Sequence, residues 1–265
     1  MHSARYMTCL ANAGYRNSAE GIQWRNAGTT SGTGERWACW ATDPSNPEIY
    51  SIRETAKLGR DQLQPPNDPD SSVEIVITDA FGKEGRDVVM VDGTTPVSGD
   101  NRFWEAPNGN ILPPSENDYC IGLVIRHGRM KYFTGGDLDG TFSTSGWGFS
   151  YNDCESPIAP LIGEVDIMQV NHHGSSHSSN QFFVDSLRPQ VSLISCGTGN
   201  SHGHPAQEVL DRVLDASDVY LHHVCALERD YGDATFTDGD IIVTSADGGD
   251  TFTVDGQAYT SRGSE

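Results

Sequence analysis

Two nearly continuous apolar segments constrain the fold of this chain more than any other sequence feature. They cover residues 164–170 and 191–196. Uninterrupted apolar runs of this length are typical of strands that are buried on both faces of a sheet. The residues between them, 180–187, predict a short helix that ends before Pro189. We therefore expect a sheet that is covered on both sides.

Further strand patterns lie on either side of these segments. They cover residues 73–78, 87–91, 121–126, 130–134, 240–244 and 251–254. The link at residues 127–129 contains Gly128, which favours a hairpin. A second helix is predicted over residues 205–216, where apolar side chains form a stripe. Strands dominate and helices come late, which predicts an α/β or α+β sandwich with helices outside.

The first 72 residues have a different composition. They are rich in turn-forming residues, with isolated aromatic residues at Trp24, Trp37, Trp40 and Tyr50. This predicts an irregular, turn-rich N-terminal region with a short helix near residues 52–62. We expect the folded domain to cover residues 73–256, followed by a polar tail at residues 257–265.

Charge narrows the range of partners. The chain has 37 acidic and 17 basic residues, a formal net charge of −20. Such a surface repels phosphate backbones, which disfavours nucleic acid as a partner. No run approaches the roughly 18 apolar residues that cross a bilayer, and no signal-peptide pattern is visible, so we expect a soluble protein without a membrane partner. Six cysteines are compatible with export, and Cys196, in an apolar run, is predicted to be a buried free thiol.

Polar clusters follow three of the predicted strands. Asp137 lies in a glycine-rich turn, His172 and His173 follow the strand that ends at residue 170, and His202 and His204 precede a helix. Ligands in α/β proteins bind where buried strands end. Carboxylate and imidazole together are ligands for zinc, manganese or iron, and such an ion activates water.

Each residue also has a structural interpretation. An Asp in a glycine-rich turn is usually only a turn residue, and a single His pair is more often structural than a ligand. The pair His222 and His223 follows an apolar stretch, and we interpret it as structural. His2 and His127 are interpreted as incidental. Three clusters at three strand ends favour the metal site.

Three segments carry a resemblance to a known family. They are NDYCIGLVIRHGRMKYFTGGDLDG, VDIMQVNHHGSSHSSNQFFVDSLRPQVSLISCGTGNSHGHPAQEVLDRVL and DGDIIVTSADGGDTFTV. In order, spacing and the HHGS and GHP signatures, this half of the chain resembles the metallo-β-lactamase superfamily, in particular the hydrolase domain of ComEC-type competence proteins. The resemblance implies an αββα sandwich, present at least in part.

The resemblance also implies roles for individual residues. Asp137 corresponds to a metal ligand that commonly bridges two ions, and His172 or His173 to another, with His172 favoured. Ser175, His202 and His204 correspond to groups that line the pocket and contact substrate. Asp137 and His204 are the expected catalytic residues, with one or two ions of zinc or manganese.

One superfamily motif, HxHxDH, is absent from the sequence. Three explanations remain open: the chain is part of a longer protein, a partner chain or a second copy completes the site, or the site is remodelled to hold one metal or none. Asp79, Asp139 and Glu155 are carboxylates that can substitute as ligands.

Two functions from different classes follow. The first is a metal-dependent hydrolase that uses a metal-activated water. Its substrate is a small or polymeric phosphodiester, a carboxylic ester or a lactone, with DNA disfavoured by the charge. The second is a non-catalytic metallo-β-lactamase-like binding or structural module, which the missing motif favours.

Overall fold

The computed structural model describes residues 22–26, 37–43, 46–50, 69–78, 81–82, 88–89, 96–97, 104–105, 111–112, 115–145 and 150–263. The chain divides into two compact units, Met1–Thr55 and Ala56–Glu265. Within the described residues, no helix is both long and apolar enough to cross a membrane.

The first unit contains a three-stranded antiparallel sheet. Its strands are β1 (Ile22–Asn26), β2 (Trp37–Asp43) and β3 (Asn46–Tyr50). An irregular region was predicted here from the turn-rich composition. The aromatic residues that we treated as isolated all lie in these strands, because aromatic side chains favour extended backbone. The helix predicted near residues 52–62 lies outside the described residues.

The second unit is built on a mixed sheet of eight strands. In sheet order these are β17 (Thr235–Phe236), β16 (Asp218–Leu221), β15 (Val191–Ile194), β14 (Ile167–Gln169), β11 (Met130–Thr134), β10 (Gly122–His127), β4 (Ser71–Thr78) and β5 (Phe81–Gly82). The five strands from β17 to β11 are parallel, and the remaining pairs are antiparallel.

Smaller pairings complete this unit. Two-stranded pairs are formed by β6 (Val88–Val89) with β7 (Pro96–Val97), β8 (Trp104–Glu105) with β9 (Ile111–Leu112), and β12 (Gly140–Thr144) with β13 (Ser150–Asp153). A three-stranded antiparallel sheet contains β18 (Val243–Ala246), β19 (Thr251–Val254) and β20 (Gln257–Thr260). The last strand lies inside the range that we described as a polar tail.

Both faces of the main sheet are covered. On one face pack the helices α1 (Glu155–Ile162), α2 (Gln181–Leu187) and α3 (Gln207–Ala216). Ile158, Phe183 and Leu210 from these helices are fully buried against sheet residues such as Met168 and Ile194. On the other face, Phe252 and Val254 of β19 are buried against alternate residues of the same strands. This layering explains the continuous apolar runs of β14 and β15.

The sequence predicted most of these elements and missed a few. The hairpin of β10 and β11, strands β14 and β15 and helices α2 and α3 are confirmed. Helix α1 was missed because its sequence, ESPIAPLI, contains two prolines, one of them inside the helix at Pro160. The fold is mixed α/β with few helices, as the strand-dominated pattern indicated.

Candidate functional site

The predicted site residues follow strands that end at the same edge of the main sheet. Strands β11, β14, β15 and β16 are neighbours and parallel, so their carboxyl ends lie side by side. The turn that follows β11 carries Asp137, the loop after β14 carries His172 and His173, and the loop after β15 carries His202 and His204.

Asp137 and His173 lie next to each other. Their Oδ1 and Nε2 atoms are 3.5 Å apart, and both side chains are about half exposed. The other ring nitrogen of His173, Nδ1, bonds to the carbonyl oxygen of Ser195. The backbone N–H of His172 donates to the carbonyl of Gly136 over 2.9 Å. The turn after β11 and the loop after β14 are thus joined through both side chains and backbone.

His172 is held by a buried carboxylate. Its Nδ1 lies 3.2 Å from Oδ1 of Asp139, a side chain with no exposed surface. Asp139 also accepts a 2.9 Å hydrogen bond from the Ser115 hydroxyl. A carboxylate on one nitrogen of a histidine orients the ring, as in the carboxylate–histidine–metal arrangement of zinc enzymes. The amide nitrogen of Asn117 lies beside both ring nitrogens of His172, 3.3 Å from Nδ1 and 3.4 Å from Nε2.

These contacts shift the pKa values of both partners. Burial lowers the pKa of His172, but the bond to Asp139 and the charges of Asp139 and Asp137 outweigh it, so the net shift is upward. Burial also raises the pKa of Asp139, against the opposing effect of His172. Each group therefore keeps its proton to a higher pH than it would in water.

His204 completes the group of imidazoles. The centroid of its ring lies 5.4 Å from that of His172 and 5.7 Å from that of His202. Burial, with the neighbouring imidazoles second, lowers the pKa of His204 to about 4. The ring is therefore neutral near pH 7. Asn200 fixes its backbone, accepting from the N–H and donating to the carbonyl.

The loops after β14 and β15 pack backbone to backbone at Gly174. Its φ is +81°, and a Cβ there would lie 2.6 Å from Cβ of Pro205. The N–H of Ala206 donates to the Gly174 carbonyl over 2.7 Å. Only glycine satisfies both the left-handed backbone and the close approach. This contact explains why a glycine follows the two histidines.

The two histidines themselves have left-handed backbone, with φ of 50° at His172 and 54° at His173. This conformation is unfavourable for residues other than glycine, by roughly 1–2 kcal/mol each. Strained backbone of this kind clusters at functional sites. Here it turns two consecutive imidazoles toward different partners, Asp139 and Asp137.

Ser175 and Glu155 stabilise the loop after β14. Ser175 is buried, and its hydroxyl accepts the N–H of His177, so the predicted contact of Ser175 with substrate stays a prediction. Glu155 is fully buried and accepts hydrogen bonds from the Asn171 amide and from the backbone of Ser179 and Asn180. Because both carboxylate oxygens of Glu155 accept hydrogen bonds from this loop, Glu155 is not a substitute ligand. Asp79 lies outside the described residues.

The side chains at this edge of the sheet are of the kinds that bind a transition metal, but their positions match a metal site only in part. Asp137 supplies a carboxylate, and His172, His173 and His204 supply imidazoles; the Asp139 bond orients one of them. Among the side chains that the structure describes, however, no three donors from His, Cys, Asp and Glu are grouped to hold an ion. The amide of Asn117 would also have to leave Nε2 of His172.

The structure corrects the prediction for Cys196. It forms a disulfide with Cys225, across a Cα–Cα distance of 5.7 Å. Cys196 is also only partly buried, so the predicted burial is wrong as well. The apolar run around it could not indicate a partner 29 residues away in the sequence. Strand β16, parallel to β15, brings the two cysteines together at the same sheet edge.

The chain matches three relatives over part of its length. It is 30% identical over 108 residues to ComE operon protein 3 of Bacillus subtilis, 25% over 122 residues to Recombination protein 2 of Haemophilus influenzae, and 29% over 119 residues to Competence protein ComA of Neisseria gonorrhoeae. The similarity is to ComEC-type competence proteins. It covers 40–44% of the chain but only 12%, 14% and 16% of these relatives. No protein-family model matches the chain.

Sequence reasoning missed several residues that support the site. Asp139 was considered only as a substitute ligand, although it bonds to His172. Two further residues were not considered: Asn117, which lies beside the ring of His172, and Arg229, which donates to the carbonyls on either side of His204. Asp139 lies two positions after Asp137, a spacing that the sequence displays, but Asn117 and Arg229 come from distant segments that only the fold brings to the site.

Proposed function

We propose that this chain is a metal-dependent hydrolase that cleaves a small phosphodiester, with a site like that of the metallo-β-lactamase superfamily. The observation that carries the proposal is the buried Asp139 carboxylate on Nδ1 of His172, beside the Asp137–His173 pair at the edge where parallel strands end. Metal-ligating histidines almost always donate their other ring N–H to a carboxylate, a backbone carbonyl or a water, and the contact between His172 and Asp139 has this form.

Asp137, His172 and His173 are the proposed ligands of zinc or manganese. An ion held by these residues would lower the pKa of a bound water enough to give hydroxide near neutral pH. Asp139 orients the ring of His172, and the Ser195 carbonyl orients that of His173. His204, neutral near pH 7 because burial lowers its pKa to about 4, can donate one hydrogen bond to a phosphoryl oxygen.

A phosphodiester is favoured over other esters by the relatives. Their names refer to competence and recombination, and both processes handle DNA, a polymer of phosphodiesters. The net charge of −20 disfavours a long polyanion, because no compensating basic surface was visible in the sequence. A short or small phosphodiester satisfies both observations.

A non-catalytic binding module is the second candidate. It is favoured by one observation, that no three donors are grouped among the described side chains. Such a module would use the imidazoles and Asn117 to bind an oxyanion or a partner protein without turnover.

Hydrolysis of bis(4-nitrophenyl) phosphate and of 4-nitrophenyl acetate separates these candidates. Each substrate is tested with added zinc or manganese and then with chelator. We expect metal-dependent turnover of the phosphodiester that the chelator abolishes. No turnover under any condition supports the module, and chelator-insensitive turnover contradicts the metal mechanism.

A further inference from the structure

His204 lies on a segment that is held from outside the group of imidazoles. We define the histidine loop as residues 195–206 and the β16 exit loop as residues 222–231. Arg229 of the β16 exit loop donates from Nε to the carbonyl of Pro205 over 2.9 Å and from Nη2 to that of Gly203 over 3.0 Å. These two carbonyls flank His204 in the chain. A single planar guanidinium thus fixes the backbone on both sides of the imidazole.

A covalent link joins the same two loops. The disulfide between Cys196 and Cys225 connects the start of the histidine loop to the middle of the β16 exit loop. Beside it, the N–H of Gly199 donates to the Cys225 carbonyl over 2.8 Å. Cys196 directly follows Ser195, whose carbonyl bonds to His173. The disulfide therefore lies next to the backbone carbonyl that contacts His173 and in the loop that carries His204.

The β16 exit loop has its own hydrogen bonds and packing contacts. The hydroxyl of Tyr231 accepts the N–H groups of Cys225 and Ala226 and donates to the Ala226 carbonyl, over 2.9 to 3.1 Å. The ring of Tyr231 packs edge-on against Phe236 of β17, with centroids 5.3 Å apart. The Cys225 side chain is fully buried. The loop is thus attached to the main sheet by its own contacts.

We propose that Arg229 is a positioning residue for His204, and that the Cys196–Cys225 disulfide is the second tether that holds the histidine loop in place. The catalytic consequence rests on the proposed hydrolase function; the positioning itself does not. Neither group touches the reacting atoms, so both act through the backbone of the histidine loop.

The test is an NMR spectrum of chain labelled with ¹³C in the histidine rings, without metal. Arg229→Ala should shift or broaden the Cε1 signals of His204 and His202 and leave that of His127, which bonds to Ser245 elsewhere, unchanged. Arg229→Lys, which can keep one of the two hydrogen bonds, should restore part of the shift. Arg188→Ala is the matched control, because the side chain of this exposed arginine pairs with Glu164 at the surface, away from the histidine loop.

Reduction tests the second tether. Dithiothreitol transfers two electrons and two protons to the disulfide, which gives two thiols, while its own two thiols close to a cyclic disulfide. Once a thiol assay shows reduction, the His204 signal should move as in Arg229→Ala. The double variant Cys196→Ala/Cys225→Ala should show the same spectrum with and without dithiothreitol. If this variant does not fold, the reduced wild-type chain and Arg229→Lys still provide the comparison.

The hydrolysis assay adds a separate readout. Misplacing a catalytic group by about 1 Å costs up to roughly 100-fold, so we expect Arg229→Ala to lower kcat by about 10-fold to 100-fold with little change in KM. Unchanged His204 signals in folded Arg229→Ala and in the reduced chain would overturn the positioning role. An inactive wild-type chain with shifted signals would instead contradict only the hydrolase function.

Discussion

At the scale of single residues, the most informative feature is Asp139. A carboxylate without exposed surface is costly unless its oxygens are bonded, and its bonds go to the Ser115 hydroxyl and to Nδ1 of His172. These two bonds offset part of that cost and hold the ring of His172 in one orientation. The two carboxylates therefore have separate roles: Asp139 orients a ring, whereas Asp137 is half exposed and open to a ligand.

Replacement of Asp139 tests that separation. We expect Asp139→Asn to lower zinc affinity about 10-fold to 100-fold, because an oriented ring loses its carboxylate partner. Calorimetric titration with zinc measures the change, and circular dichroism checks the fold. Asp185→Asn, an exposed carboxylate on α2, is the control. Equal zinc affinity in Asp139→Asn and wild type would show that Asp139 does not support the site.

The pH dependence of zinc binding follows from the same pair. Only neutral imidazole binds zinc, and although burial lowers the pKa of His172, Asp139 and Asp137 raise it above its ordinary value of 6.5. As the pH is lowered, zinc affinity should therefore begin to fall at a higher pH than it would at a site whose histidine has an ordinary pKa. In the metal-free chain, protonation of His172 instead favours the folded state. The raised pKa of His172 stabilises the fold below pH 6.5, and this contribution is lost as the pH rises through the pKa of His172 in the folded chain.

Zinc titrations at several pH values, with histidine NMR, check this expectation. In Asp139→Asn the midpoint should move to lower pH, since burial still lowers the pKa of His172 and its strongest opposing partner is gone. A midpoint that does not move would contradict the conclusion that Asp139 raises the pKa of His172.

At the scale of elements, the loop after β14 depends on the first residue of α1. Glu155 accepts hydrogen bonds from three N–H donors of this loop, and Gly140 leaves the space that its carboxylate occupies, because a Cβ there would lie 1.9 Å from Oε2. The loop conformation that carries the histidines is thus determined by a side chain in another element.

Glu155→Ala should therefore destabilise the fold. It leaves the three donors unpaired in the interior, which we expect to cost about 3 kcal/mol of unfolding free energy. Urea denaturation measures the loss. The control is Glu164→Ala, whose side chain is half exposed and pairs with Arg188; this exposed pair should contribute less than about 1 kcal/mol. Similar stabilities for the two variants would contradict the role given to Glu155.

The sequence predicted the elements better than the contacts between them. The apolar runs of β14 and β15 and the stripe of α3 were sufficient, because a strand buried on both faces leaves a continuous apolar run and a helix buried on one face leaves a periodic stripe. The pairing of Asp137 with His173 was predictable in outline, since both follow neighbouring strands. The disulfide of Cys196 and the tether from Arg229 were not, because they depend on how β16 lies beside β15.

At the scale of the whole molecule, charge determines which phosphodiesters can approach. The net charge is −20, and arginines near the site are engaged with backbone: Arg229 with the histidine loop and Arg212 with the Ser179 carbonyl. Long polyanions are therefore repelled, whereas a small substrate with one negative charge is repelled much less.

Salt should separate the two kinds of substrate. Raising the ionic strength from about 0.01 M to about 0.1 M shortens the screening length from about 30 Å to about 10 Å. We expect cleavage of single-stranded DNA to become faster over this range, while kcat/KM for bis(4-nitrophenyl) phosphate stays nearly constant. Cleavage of DNA that instead slows with salt would indicate a basic surface and contradict the charge argument.

Metal content tests the central claim most directly. The chain is purified, dialysed against zinc and then against metal-free buffer, and measured by elemental analysis beside Asp137→Ala, His172→Ala and the control His127→Ala. We expect one or two zinc ions per chain in wild type and control, and a large loss in both site variants with the fold intact. No zinc in the wild-type chain, or equal zinc in all four proteins, would contradict a metal site at Asp137 and His172.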